Sequence, residues 1–208
     1  MNINPHDYAE GFIAEDSIKA AARARGVEIG TNDVSPGTGA YLRHLAQLLS
    51  AQSVVEIGTG SGVGSLWLLE GMIKSGTLTS IDDEMEHSSI AKLALAEADI
   101  AAPRFRLITN SVMDVMTKLA DRAYDLVVFR HNPEDLNFAI SEAHRVLRSG
   151  GVFVIDNFFG GAKVPDPAQR DPKTIALREA GKAIKADSES WMSVLVTTGD
   201  GLLLATKL

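Results

Sequence analysis

A glycine-rich segment and the acids that follow it are the residues of this sequence best suited to bind a nucleoside. Segment 56–64, EIGTGSGVG, comes directly after a short apolar run, and its glycines let the backbone turn sharply and approach a ligand closely. The next apolar run ends at Asp82 and Asp83, near the spacing of about 20 residues expected in a nucleoside-binding β-α-β unit. A carboxylate at Asp82 can bind both ribose hydroxyls. It could instead cap a helix that begins near Glu84, so both interpretations stay open.

The spacing of the glycines separates this loop from two common nucleotide-binding motifs. A dinucleotide fingerprint, G-x-G-x-x-G/A, that starts at Gly58 and Gly60 would need a small third residue where Val63 stands. A P-loop is excluded because no Gly-Lys-Ser/Thr follows. The spacing present is G-x-G-x-G, preceded by Glu56, and it resembles the first motif of class I methyltransferases that use S-adenosylmethionine (SAM). A turn without a ligand is the alternative, but strand, loop and acid occur together, which favours a cofactor site.

The elements that position these residues alternate between strands and helices from Ser53 onward. Short apolar or β-branched runs predict five strands, at 54–57, 78–81, 105–108, 126–129 and 152–155. Longer runs between them predict four helices, at 63–74, 84–98, 112–120 and 133–147. This alternation predicts an α/β fold with a parallel sheet that helices cover on both faces. Ligands of such sheets bind beyond the carboxyl ends of the strands, where the glycine loop and Asp82 stand.

Both ends of the chain depart from this alternation. Helical spacing of apolar residues predicts three further helices, at 7–25, 37–49 and 171–186. The last residues predict two strands around a tight turn, at 191–196 and 202–206. The chain is therefore predicted as one domain, 1–208, with an N-terminal helical segment, 1–50, and an α/β core, 51–208. A terminal antiparallel hairpin is typical of the SAM methyltransferase class, so the resemblance implies a mostly parallel, seven-stranded, Rossmann-like sheet.

Composition argues against several other classes of protein. The formal net charge is −7, and no basic cluster suits a nucleic-acid backbone, so nucleic acid is not expected as a partner. No apolar run approaches the ~20 residues that span a bilayer, and the polar N-terminus lacks the pattern of a signal peptide, so no membrane partner is expected. The sequence contains no cysteine, which excludes disulfides and thiolate chemistry. These features predict a cytoplasmic protein.

Further motifs extend the resemblance along residues 30–208. They occur in the order of one family: Val34-Ser35-Pro36, the segment 53–64, Leu147–Gly151, Ile155-Asp156-Asn157 and Gly199–Leu202. The chain resembles the bacterial O-methyltransferases related to caffeoyl-CoA and catechol O-methyltransferases. The Asp-Asn pair and the terminal Asp-Gly-Leu make this resemblance more specific than the glycine motif alone.

The resemblance implies where SAM binds. The implied cofactor site consists of Val34, Glu56, Gly58, Thr59, Gly60, Gly64, Ser65, Asp82, Asp83, Ser111 and Val112. Glu56 would contact the methionine end of SAM, Asp82 would hold the ribose, and Ser111 would lie beside the adenine. The family usually has a serine that touches SAM at position 64, where this chain has Gly64 followed by Ser65. Ser111 could instead begin a helix.

The catalytic positions depart from the family pattern. In the family, an Asp that ends the fourth strand binds a divalent cation together with a later Asp-Asn pair. The cation lowers the pKa of the substrate hydroxyl, and a nearby Lys acts as base. Here Arg130 stands at the Asp position and Pro133 at the Lys position, while Asp156 and Asn157 remain. One acid and one amide are too few for an octahedral hard-cation site, so the sequence predicts catalysis without a metal.

Four residues are therefore the predicted catalytic set: Arg130, His131, Asp156 and Asn157. His131 is the best general base because its pKa suits proton transfer near neutrality, although it could merely begin a helix ahead of Pro133. Arg130 could form an ion pair with Asp156, anchor an anionic substrate, or do both.

The predicted function is methyl transfer from SAM to a hydroxyl of a small molecule by a homodimer. The dimer rests mainly on the resemblance, because relatives are commonly dimeric. One alternative is a SAM-binding protein with little catalysis, since two expected catalytic groups are missing. Another is an amine or nucleic-acid methyltransferase, because Asn132-Pro133 is similar to a motif of amino-group methyltransferases. Glu134 and Asp135 depart from that motif.

Overall fold

The computed structural model describes residues 4–208, and its centre is a seven-stranded sheet. The strands are β1 Ser53–Ile57, β2 Thr77–Asp82, β3 Phe105–Thr109, β4 Tyr124–Phe129, β5 Leu147–Ile155, β6 Trp191–Val196 and β7 Leu202–Lys207. They lie in the order β3-β2-β1-β4-β5-β7-β6. β1 to β5 are parallel, whereas β7 pairs antiparallel with both β5 and β6. The predicted Rossmann-like sheet with a terminal antiparallel hairpin is confirmed.

Helices cover both faces of this sheet and enclose two apolar cores. They are α1 Pro5–Glu10, α2 Ser17–Ile29, α3 Pro36–Leu48, α4 Val63–Gly71, α5 Met85–Glu97, α6 Val112–Met116, α7 Leu136–Val146 and α8 Pro172–Ala186. Short 3-10 turns lie at Ala102–Arg104 and Pro133–Asp135. Along residues 4–208, no helix combines the length and the apolar composition needed to cross a bilayer.

The single N-terminal helix predicted at 7–25 is wrong, because two helices occupy this region. α1 ends at Glu10, where the backbone N–H of Gly11 closes the helix on the carbonyl of Asp7. α2 then begins at Ser17, because the Asp16 carboxylate accepts hydrogen bonds from the backbone N–H groups of Ile18 and Lys19. A strong N-cap starts a new helix regardless of the apolar spacing that runs across the break.

Three other helices are shorter than predicted by three residues or more. The helix predicted at 63–74 ends at Gly71 as α4. The helix predicted at 112–120 ends at Met116 as α6. The helix predicted at 133–147 begins with the 3-10 turn Pro133–Asp135 and continues as α7. Boundaries of this kind are the least certain part of a pattern-based prediction, because propensity changes little across the last turn of a helix.

Candidate active site

The carboxyl ends of the central strands bring the predicted site residues together. The backbone N–H of Gly58 donates to the carbonyl of Ile81 over 2.8 Å, which joins the glycine loop to the end of β2. The N–H of Arg130 donates to Ile57 over 2.8 Å, and the N–H of Asp156 donates to Phe129 over 3.0 Å. The ends of β1, β2, β4 and β5 therefore meet at one edge, as expected of a parallel sheet.

A cleft of about 430 Å³ opens at this edge. Eight of the predicted site residues line it: Gly58, Gly60, Asp82, Asp83, Arg130, His131, Asp156 and Asn157. Seven other predicted residues do not line it: Val34, Glu56, Thr59, Gly64, Ser65, Ser111 and Val112. The cleft therefore brings together the four predicted catalytic residues and part of the predicted cofactor set.

The glycine loop is shaped to let a ligand approach its backbone. Gly58 has a φ of 91°, and a Cβ there would collide with the carbonyl oxygen of Arg130. Gly60 has a φ of 55°, and its N–H donates to Oδ2 of Asp82 over 3.1 Å. Both conformations suit glycine, since positive φ is costly for residues with a Cβ. The loop and Asp82 together form one wall of the cleft.

Asp82 lies at the end of β2, between the start of α5 and the cleft. Its Oδ1 accepts from the backbone N–H of Glu84 over 3.0 Å, so it supports the start of α5. The same atom lies 3.0 Å from Nδ1 of His87. The carboxylate also lines the cleft, where it can accept hydrogen bonds from ribose hydroxyls.

Glu56 is fully buried behind the cleft. Its Oε2 accepts hydrogen bonds from the hydroxyls of Ser65 and Ser80, and its Oε1 has no hydrogen-bond partner. Burial raises the pKa of Glu56 to about 7, although the positive charge of Arg130 opposes this shift. Arg130 lines the cleft and Glu56 does not, so a ligand in the cleft meets the guanidinium first.

The Arg130 side chain is only 4% exposed and lies among three carboxylates. Its Nε is 3.5 Å from Oδ2 of Asp156, its Nη1 is 3.9 Å from Oε1 of Glu56, and its Nη2 is 4.0 Å from Oδ1 of Asp33. A hydrogen bond of 2.8 Å from Nη2 to the carbonyl of Asn32 fixes the guanidinium. The possible ion pair between Arg130 and Asp156 is present, and it belongs to a larger buried cluster.

The Asp156-Asn157 pair does not fit a divalent cation in this arrangement. Oδ1 of Asp156 accepts the backbone N–H of Asn157 over 2.8 Å, and Oδ2 faces the guanidinium of Arg130. Burial raises the pKa of Asp156, and the nearby Arg130 opposes the rise. A second positive charge placed beside the guanidinium would be repelled, and the carboxylate is already paired.

Because Gly64 has no side chain, the ends of the Glu56 and Arg130 side chains can occupy the space beside it. A Cβ at Gly64 would collide with Oε1 of Glu56 and would lie 2.9 Å from Nη1 of Arg130. The serine that the family usually carries at this position therefore cannot be accommodated while Arg130 and Glu56 keep their present places. Gly64 and Arg130, two of the departures found in the sequence, meet at one point in the structure.

The remaining predicted cofactor residues support the loop and the helices rather than the cleft. Oγ1 of Thr59 lies 2.7 Å from Oγ of Ser80, and both residues are buried. Val34 is part of an apolar core. The hydroxyl of Ser111 accepts from the N–H of Asp114 over 3.4 Å, which makes Ser111 the N-cap of α6.

Two residues of this region were missed by sequence reasoning. Asp33 lies in the connection between α2 and α3. Lys173, in the first turn of α8, lines the cleft with Asn157 and adds a second positive side chain. Neither residue belongs to a motif, and only the fold brings both of them to the strand ends.

His131 lies beside the acid at the end of β2. Its Nε2 is 3.5 Å from Oδ2 of Asp83 and 3.5 Å from Oδ2 of Asp135. Both carboxylates lie on the Nε2 side of the ring, and His131 lines the cleft.

This fold, with a glycine loop and an acid at the carboxyl ends of its strands, is that of the Rossmann-like, SAM-dependent methyltransferases. The profile of a family described as O-methyltransferase matches residues 8–208. A protein of Mycobacteroides abscessus assigned to the O-methyltransferases is 46% identical over 200 residues, which cover 96% of this chain and 93% of the relative. The chain belongs to the O-methyltransferase family.

Solved structures agree with this membership. A protein from Corynebacterium glutamicum is 30% identical with a TM-score of 0.88, over 96% of this chain and 94% of that one. The O-methyltransferase TomG from Streptomyces achromogenes, solved in complex with SAM, is 25% identical with a TM-score of 0.86, over 99% of both chains. The predicted family and fold are confirmed, and family membership favours an enzyme over a SAM-binding protein without catalysis.

Proposed function

We propose that this O-methyltransferase methylates a hydroxyl of a small molecule without the divalent metal of its better-known relatives. The observation that carries the proposal is the buried guanidinium of Arg130, with its Nε 3.5 Å from Asp156. It places a permanent positive charge beside the acid that would otherwise serve as a metal ligand. A fixed charge of this kind can stabilise the negative charge that develops on the acceptor oxygen.

The neighbouring acids leave part of that positive charge available. With a pKa of about 7, Glu56 is protonated in about half of the molecules at neutral pH. Burial raises the pKa of Asp156 as well, and the positive charge of Arg130 opposes that rise. Protonation of Glu56 removes one of the negative charges that face the guanidinium.

His131 is proposed as the base that takes the proton of the acceptor hydroxyl. When bound, SAM supplies an electrophilic methyl group, and the acceptor must lose a proton as its oxygen gains that group. Nδ1 of His131 can receive this proton while Asp83 and Asp135 hold the opposite side of the ring. The remaining contribution of the chain is alignment, through the glycine loop and the strand ends.

A chelator experiment tests the metal-free proposal. The unmodified enzyme is assayed by transfer of labelled methyl groups from SAM to a panel of phenols and hydroxy acids, with EDTA and with added Mg²⁺. We expect the same rate under both conditions, because a guanidinium takes the place of the cation. If EDTA abolishes transfer and Mg²⁺ restores it, the role proposed for Arg130 is wrong.

We also propose that the enzyme is a homodimer, and the hairpin edge supports an interface. β6 is an edge strand that exposes Met192 (62%), Val194 (55%) and Leu195 (46%) to solvent. An apolar edge strand with unpaired backbone groups is suited to be covered by a second copy of the chain.

The cytoplasmic location stays a proposal that rests on composition alone.

The expected solution mass is twice the chain mass of 22.2 kDa. Light scattering at micromolar concentration measures it directly. The Val194→Lys variant should shift the protein to a monomer, because a charge on the edge strand opposes pairing. Ile175→Lys, an equally simple change at an exposed apolar residue of α8, is the control. A monomeric unmodified protein would contradict the proposal.

A further inference from the structure

The carboxylate of Asp33 connects the N-terminal segment to two parts of the cleft, the glycine loop and Arg130. Its side chain is only 3% exposed although it lies in the connection between α2 and α3. Oδ1 accepts the backbone N–H of Ser61 over 3.0 Å, and Oδ2 accepts the Ser61 hydroxyl over 2.7 Å. Oδ2 also accepts the hydroxyl of Thr31 over 2.8 Å.

We propose that Asp33 is a positioning residue for methyl transfer: it holds the glycine loop in its cofactor-binding shape and fixes the Arg130 guanidinium at the cleft. The first role rests on the use of SAM. The second rests on the function proposed above for Arg130.

The contact with the glycine loop is close and directional. A Cβ at Gly60 would lie 2.7 Å from Oδ1 of Asp33, so the loop backbone packs directly against the carboxylate. Hydrogen bonds to an ionised acceptor are roughly twice as strong as neutral ones, and Asp33 makes two of them to Ser61. The turn that carries Gly60 is therefore held from outside the α/β core.

The contact with Arg130 comes from the same short stretch of chain. Nη2 of Arg130 donates to the carbonyl of Asn32 over 2.8 Å and lies 4.0 Å from Oδ1 of Asp33. A main-chain acceptor and a carboxylate from adjacent residues thus orient one guanidinium nitrogen. This leaves Nε and Nη1 without hydrogen-bond partners, facing Asp156 and Glu56.

Helix α2 makes room for this arrangement. A Cβ at Gly26 would collide with Oδ2 of Asp33 and Oγ1 of Thr31, and would lie 2.9 Å from Cβ of Ser61. The N-terminal helices therefore bring Asp33 against the loop by close packing. This gives the N-terminal segment a direct part in the cofactor site.

The test measures SAM affinity by calorimetry and kcat by methyl transfer for the Asp33→Asn variant. Asparagine keeps the shape but removes the charge and places a donor against other donors. We expect Kd for SAM to rise about tenfold or more, the size expected when a charged hydrogen-bond acceptor is lost. The Ser61→Ala variant removes only the hydroxyl contact and should raise Kd by roughly threefold, less than Asp33→Asn.

Asp125→Asn is the matched control. Asp125 is also a nearly buried acid, which accepts the N–H groups of Gln52 and Ser53 and pairs with Arg148 at the opposite end of the strands. This variant should lower the melting temperature and leave Kd for SAM within about twofold. A Kd within twofold for both Asp33→Asn and Ser61→Ala overturns the first role, and so does an Asp125→Asn effect as large as that of Asp33→Asn.

The second role predicts non-additive kinetics. If Asp33 acts through Arg130, Asp33→Asn should lower kcat at saturating SAM, and much less so in an Arg130→Met background. Equal effects in both backgrounds overturn this role. The first role of Asp33 can be tested separately from the function proposed for Arg130. The measurement of Kd for SAM in Asp33→Asn requires no methyl acceptor and does not depend on how Arg130 acts in catalysis.

Discussion

The Arg130→Met variant is expected to transfer methyl groups with a kcat lowered by about 100-fold, the effect seen when one preorganised donor to a developing oxyanion is removed. Methionine is comparably long and unbranched, so it tests the charge rather than the filled space. The substitution also removes the positive charge that lies within 4.0 Å of the carboxyl groups of Glu56, Asp156 and Asp33. Added Mg²⁺ is not expected to restore activity, because the variant gains no ligand.

Stability as a function of pH checks that the same charge holds the cluster together. Burial raises the pKa of Glu56 from 4.5 to about 7, so between these values the folded protein binds more protons than the unfolded chain. Its contribution to stability therefore decreases as the pH rises through this window. Arg130 lowers this pKa, so its removal should extend the decrease to higher pH.

Urea unfolding at pH 5 and pH 8 measures this difference. We expect the stability lost between the two values to be larger in Arg130→Met than in the unmodified protein. Arg148→Met is a suitable control, since Arg148 pairs with Asp125 far from the cleft. Unchanged kcat in Arg130→Met would show that the guanidinium plays no part in the reaction, whatever its effect on stability.

The sequence located the strand ends because they follow simple patterns. Apolar runs such as Leu126–Phe129 predict buried parallel strands, and polar residues directly after them must lie at the same edge of the sheet. This is why Arg130, His131 and Asp156 could be placed at one cleft with Asp82. Local pattern and overall topology agree for all of these positions.

Contacts between distant segments could not be predicted in the same way. Asp33 meets Ser61 and Arg130 only because the connection between α2 and α3 lies against the glycine loop. Lys173 reaches the cleft because of where α8 begins. The conformation of the Arg130 side chain, which places Nη1 3.9 Å from Oε1 of Glu56, is not specified by any local pattern.

Gly64 shows how far a departure from a family pattern can be explained once the structure is known. In the sequence, Gly64 and Arg130 are two separate departures from the family pattern, and three strands of the sheet lie between them. In the structure, the space above Gly64 is filled by Oε1 of Glu56 and Nη1 of Arg130. Their pairing predicts that changes at the two positions have coupled effects.

The Gly64→Ala variant is therefore expected to bind SAM more weakly than the unmodified protein, because the added Cβ must displace Glu56 or Arg130, and Arg130 lines the cleft. The added methyl group must displace Glu56, whose other oxygen is held by Ser65 and Ser80, or push Arg130 toward the cleft. Gly11→Ala is the control, because a Cβ there meets nothing closer than 3.5 Å. Its Kd for SAM should not change.

The decisive measurement is the double variant Gly64→Ala with Arg130→Met. Without the guanidinium, the carboxyl of Glu56 is no longer drawn toward Nη1 and can move away from the new Cβ. The loss of SAM affinity caused by Gly64→Ala should therefore be several-fold smaller in this background than in the unmodified protein. An equal loss in both backgrounds would mean that Glu56 alone excludes a side chain at position 64. Arg130 and Gly64 would then be independent features of the site, and the guanidinium would have to be explained by its contacts with Asp156 and the N-terminal segment alone.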